Sequence, residues 1–152
     1  MKKFHLLTSL LFLTFISLHG QTTTTVITLN ANSVFDFAVN GNDLYYSDIS
    51  LDGIYKIDVT EENPTATLVA SGFSDPYGLC LDGNDLYVAD RSNFKIKKLD
   101  ITSSLPATPT VVVTGLSQRP TDIAISGNDL YYTTENNGTN GKLFKTDKTN
   151  AA

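Results

Sequence analysis

Six polar side chains carry the chemistry this sequence offers: Asp75, Arg91, Asn93, Arg119, Glu135 and Asn136. Carboxylates, amides and guanidinium groups hold a ligand by hydrogen bonds and charge. Reaction chemistry is narrower. His5 and His19 are the only histidines, and both lie in the first twenty residues. Past that point the chain has no imidazole. This removes Ser-His-Asp and Cys-His nucleophiles, a histidine general base and imidazole-ligated zinc. An oxygen-ligated divalent ion such as calcium needs acidic and amide side chains aimed at one point, and no motif supplies that set. Asp82-Gly83-Asn84-Asp85 lacks the twelve-residue ligand spacing and closing Glu of a calcium loop and reads as a hairpin turn. Cys80 is the single cysteine, so there is no internal disulfide, and its strand position predicts a small buried apolar residue. No cofactor is expected, and binding is favoured over catalysis.

A repeat positions these side chains. Gly41-Asn42-Asp43-Leu44-Tyr45-Tyr46-Ser47-Asp48 recurs as Gly83-Asn84-Asp85-Leu86-Tyr87-Val88-Ala89-Asp90 and as Gly127-Asn128-Asp129-Leu130-Tyr131-Tyr132-Thr133-Thr134. The spacing is 42 and then 44 residues. Around each copy the same order is predicted. An alternating strand (35–39, 77–81, 121–125) leads into an Asn/Asp-Gly turn, and the Tyr-rich second strand follows. A third strand (54–58, 96–100, 143–147) alternates Lys with apolar residues, which predicts one wet face. A fourth (67–70, 110–114) closes the first two copies. Four short antiparallel strands repeated near forty residues predict an all-β fold of β-propeller blades. In such a blade the loops joining strands two and three share one face with the blade-to-blade linkers. That places 49–52, 74–75, 91–94, 118–119 and 135–141 together, and the six polar residues with them.

Pro76-Tyr77-Gly78-Leu79-Cys80-Leu81-Asp82, with Leu86-Tyr87-Val88-Ala89-Asp90 and Asn93 before Ile96, resembles an NHL repeat. Leu44-Tyr45-Tyr46-Ser47-Asp48 with Ile54 is similar to the YWTD repeat of the lipoprotein-receptor class. The resemblance covers about residues 26 to 147 and implies kinship with six-bladed propellers, a group that includes gluconolactonase-like enzymes. It implies that Asp48 and Asp90 tie blades together by hydrogen bonds. The histidine-dependent zinc site of the NHL-type amidating lyase has no counterpart here. The resemblance implies an interaction module that takes a protein, peptide or glycan ligand through its loop face. The alternative is a fragment of a gluconolactonase-like metal-dependent hydrolase. Propellers host many activities, so the fold alone decides neither.

Six blades of this period need about 250–260 residues, and this chain has 152. It carries repeats at about 34–76, 77–120 and 121–152, an incomplete or half propeller. A further strand at 25–29 precedes the first repeat as 67–70 precedes the second. Three readings stay open: a piece of a longer propeller, an open array, or a homodimer in which that strand completes the partner's last blade. Residues 1–20 read as a secretory signal peptide, with Lys2 and Lys3 before a mostly apolar run, and 21–25 as a polar linker. A secreted or periplasmic chain follows, with no membrane span after leader removal. The formal net charge is −5, and loss of Lys2 and Lys3 takes it to −7. An acidic surface argues against nucleic acid as a partner.

Overall fold

A computed structural model describes residues 33–136 and 138–149. The expected signal peptide, the linker and the strand at 25–29 lie outside the described residues. The described chain forms eleven strands and one 3-10 turn. Blade 1 is β1 (Val34–Asn40), β2 (Asp43–Asp48), β3 (Gly53–Asp58) and β4 (Thr67–Ala70). Blade 2 is β5 (Pro76–Asp82), β6 (Asp85–Asp90), β7 (Lys95–Asp100) and β8 (Thr110–Val113). Blade 3 is β9 (Arg119–Ser126), β10 (Asp129–Asn136) and β11 (Thr139–Asp147). Each blade is an antiparallel meander in chain order, four-stranded in the first two and three-stranded in the third. This is the predicted all-β architecture of about three incomplete propeller blades.

The repeated residues form one staple per blade. Gly41, Gly83 and Gly127 take φ of 61°, 61° and 60°, as the first central residue of a type II′ hairpin requires. The Asn after each glycine accepts a backbone bond from the residue following the third strand, from Val59, Ile101 and Lys148, each at 2.9 Å. The octapeptide Asp pairs with a third-strand lysine: Asp43 with Lys56, Asp85 with Lys98, Asp129 with Lys145, all at 2.7 Å. Each ammonium also lies about 6 Å over the repeat's tyrosine ring, at Tyr45, Tyr87 and Tyr131.

The third strands end on a further repeated pair. Asp58, Asp100 and Asp147 accept the Thr60, Thr102 and Thr149 backbone N–H groups at 2.8 Å and their hydroxyls at 2.6–2.7 Å. The hydroxyl first, and then the backbone N–H, holds each carboxyl below the usual carboxylate range. A depressed carboxyl adds stability above its unfolded value, and that stability is lost as pH falls through the folded value. The thermal midpoint should therefore drop as pH falls below about 4. The triple variant Thr60→Ala, Thr102→Ala, Thr149→Ala should flatten that acid limb. Thermal melts across pH, followed by circular dichroism, check both.

Two cores lie between the blades. Tyr45, Ile54 and Val69 of blade 1 meet Leu79, Leu86 and Val88 of blade 2. Tyr87, Ala89 and Ile96 of blade 2 meet Ile123, Leu130 and Tyr132 of blade 3. Successive β6 residues thus serve opposite cores, as strand alternation dictates. Inner strands approach closely at the second junction. A Cβ on Gly78 would stand 2.7 Å from the Asp122 Cα, so the close approach excludes any larger residue there. Cys80 is half-buried and packs at the edge of the second core. Burial pushes its thiol pKa up, which keeps it in the unreactive thiol form.

Candidate functional site

The linkers between blades and the loops after the second strands share one face and form a continuous polar chain there. Asp52, in the blade 1 loop, accepts the Asp75 backbone N–H at 2.8 Å. Asp75, in the linker to blade 2, accepts from the Arg91 Nη1 and from the Ser92 hydroxyl. Arg91 opens the 3-10 turn Arg91–Asn93 and reaches into blade 3. Its Nε donates to Glu135 Oε1 at 2.9 Å, and its Nη2 makes a second bond to the same oxygen. The guanidinium lies 4.5 Å over the Tyr77 ring, and Phe35 stacks on the other part of that assembly at 3.7 Å from Tyr77. Burial works against the Arg91 charge, but the bonds it donates to Glu135 and Asp75 outweigh it and raise its pKa. Arg91 is therefore a permanently charged clamp joining blades 2 and 3.

The six predicted residues divide by role. Asp75, Arg91 and Glu135 meet in that clamp. Asn93 turns the other way and donates to both Asp90 oxygens, at 3.1 and 2.9 Å. Arg119 and Asn136 line a cleft of about 240 Å³ with Glu135, Phe94, Ser117 and Gln118. Among the described residues the Arg119 side chain has no ion-pair partner. The sequence placed 135–141 in a loop, but β10 runs on to Asn136 and Glu135 pairs with Arg119 across the ladder. β10 and β11 stay paired past Thr134 through a register shift between Thr134 and Asn136, so Glu135 is held by strand geometry.

Phe94 is the residue that sequence patterning gives no reason to select. It adopts φ of 55° and stays exposed at the cleft. A bulky residue in the left-handed region costs energy that the surrounding structure must hold. The one available signal is a phenylalanine inside the polar stretch Arg91-Ser92-Asn93-Phe94.

Asp48, Asp90 and Thr134 occupy one place in the three blades. Asp90 ties blades as the family resemblance implies: its Oδ1 accepts the Ser74 N–H of the linker at 2.7 Å. Its Oδ2 pairs with Lys97 Nζ at 2.7 Å, and Lys97 also donates to the Gly72 carbonyl at 2.6 Å. Lys97 lies on a strand predicted to have one wet face, yet its side chain is only 13 % exposed. The buried Asp90 draws it inward. In blade 3 a neutral bond replaces the pair, from the Thr134 hydroxyl to Gln118 Oε1 at 2.7 Å. Among the described residues no group of three or more His, Cys, Asp or Glu side chains is placed to hold a metal ion.

Residues 73–99 match the model of the NHL repeat. The chain is similar to a crystal structure of a nidogen/laminin complex, with TM-score 0.62 and 20 % identity over 78 % of this chain and 50 % of that one. It is similar to the WD40 β-propeller domain of Doa1, with TM-score 0.58 and 12 % identity over 73 % of this chain and 36 % of that one. It is also similar to luciferin-regenerating enzyme, with TM-score 0.57 and 15 % identity over 74 % of this chain and 44 % of that one. The chain thus spans half or less of each structure. No curated protein matches the sequence. At these identities the likeness is one of fold, and the fold is a partial β-propeller of three blade repeats, one of them matching the NHL repeat.

Proposed function

We propose that this chain is an exported propeller module, secreted or periplasmic, that binds a protein, peptide or glycan through its loop face. The observation that carries this reading is the cleft around Arg119. The Arg119 guanidinium, with no ion-pair partner among the described residues, stands there beside an exposed aromatic ring and Gln118. The neighbouring Arg91, by contrast, is neutralised by two carboxylates. The paired strands β9 and β10 hold Arg119 and Glu135, while Phe94 offers a flat apolar surface. Such a mixture of an aromatic anchor and a free Arg is typical of sites that bind macromolecular ligands. The similarity to an extracellular-matrix complex supports an exported location.

The purified chain should retain ligands on peptide and glycan arrays, with acidic members preferred. Arg119→Glu should lower the retained signal at least tenfold while leaving the far-UV spectrum unchanged. Equal retention by Arg119→Glu would sink the assignment of this cleft. The hydrolase alternative predicts a calcium-dependent rise in thermal midpoint and turnover of sugar lactones, which the same preparations can be assayed for.

A further inference from the structure

The cleft beside Glu135 owes its open charge to competition between two arginines. Arg119 and Glu135 face each other across the β9–β10 ladder, a register at which opposite charges normally pair. Arg91 arrives from blade 2 and takes Glu135 instead. Both Arg91 bonds end on Glu135 Oε1. That leaves Glu135 Oε2 without a bond and Arg119 without a counter-charge among the described residues. One cleft thus holds a cationic donor that needs an anion and, beside it, an acceptor that needs a hydroxyl or amide hydrogen.

The third part of the cleft is held there against its conformational preference. Each connection from a second to a third strand contains a non-glycine residue in the left-handed region: Asp52 at φ of 49°, Phe94 at 55° and Asn140 at 55°. Asp52 holds the same register place in blade 1 as Phe94 does in blade 2. Asp and Asn suit that region, whereas a bulky ring strains it. Folding therefore gives no reason for phenylalanine at this place. The ring is not buried in exchange: it is 38 % exposed and lines the cleft with Arg119, Glu135 and Gln118. Strain kept at an exposed side chain points to a ligand that uses it.

We propose, resting on the binding role given to this cleft above, that it takes one uronic acid unit of an acidic glycan. The sugar carboxylate meets the Arg119 guanidinium in a charge-assisted pair. A ring hydroxyl donates to Glu135 Oε2. The C–H face of the sugar lies on Phe94, whose ring face is negative. The cleft of about 240 Å³ lies below the range of about 300–1,000 Å³ for sites that enclose drug-sized ligands, and it suits a single sugar ring. An acidic peptide brings a carboxylate on a flexible stem, but no flat face that also carries hydroxyls. A phosphate brings a second negative charge, which Glu135 repels.

Titration calorimetry of the purified full chain with short oligomers of glucuronate and of galacturonate tests this. At least one of the two is expected to bind. Its methyl ester keeps the ring and hydroxyls but loses the charge, and should bind at least about tenfold more weakly. Arg119→Gln should lower affinity for the acid by a similar factor. Phe94→Asn separates ligand contact from folding. Its thermal midpoint should equal or exceed that of the wild type, since Asn suits the left-handed backbone, while affinity for the acid falls about tenfold. Phe94→Tyr keeps the ring and should keep the affinity. Equal binding of acid and ester, or undiminished binding by Phe94→Asn, overturns the proposal. Binding of a short polyglutamate with neither uronate bound overturns it too, but leaves the loop-face reading standing. Failure of that reading shows differently: no ligand of any class is retained in a way that depends on Arg119.

Discussion

Replacing Asp90 with alanine is expected to destabilise the chain by about 3–5 kcal/mol, the range for breaking a buried ion pair by removing one partner. Asp90 is fully buried, and its two oxygens hold Lys97, Asn93 and the Ser74 N–H. Truncation leaves the mostly buried Lys97 ammonium without its counter-charge and the linker N–H without its acceptor. Blade 3 shows what the same place looks like without charge. Thr134 stands where Asp90 does, and Phe144 stands where Lys97 does, stacked on Tyr132 at 5.2 Å. The double variant Asp90→Thr, Lys97→Phe should therefore recover most of the loss. Urea unfolding of the wild type, Asp90→Thr, Lys97→Phe and the double variant gives the coupling directly, with Asp90→Ala measured beside them. Equal stability of Asp90→Ala and the wild type would mean that this pair contributes nothing.

Ile96→Ala is expected to cost about 2–5 kcal/mol, the usual range for deleting a large aliphatic side chain from a packed core. Ile96 lies with Tyr87 and Val112 in the second core, where blade 3 closes over it. Leu143→Ala is the matched control. It removes a similar side chain from the corresponding position in blade 3, where Leu143 is 70 % exposed, and it should change stability by less than about 0.5 kcal/mol. Urea midpoints at unchanged slope separate the two. A similar loss in both variants would show that position in the repeat, and not burial by the next blade, sets the cost.

The strands, turns and blade count are legible in the sequence because they rest on local rules. Alternation marks the strands, and Gly41, Gly83 and Gly127 need positive φ whatever surrounds them. The Asp-x-Thr pairs after the third strands are equally local, although they draw the eye only once Thr60, Thr102 and Thr149 are seen bonding back. What local pattern does not carry is the neighbour. Tyr45, Tyr87 and Tyr131 are the same letter at the same place, yet the first two are buried by a following blade and the third is not. Lys97 looks like a solvated lysine until Asp90 is found beside it. In the candidate site, Asp75, Arg91 and Glu135 converge across separations of 16 and 44 residues. Loop position brings them to one face, but only register and the shifts around Thr134 decide that Glu135 meets Arg91 while Arg119 is left open. Phe94 owes its place to a backbone conformation that no propensity favours.

The two cores share no residue, and that has a kinetic consequence. Blade 2 is the common wall of both, so it can open only when both packings fail. Blades 1 and 3 can each detach while the other stays docked. Amide protons in β6 should thus exchange with solvent most slowly, and protection should fall away along the chain in both directions. The middle repeat is then the last to lose its protection as the chain opens.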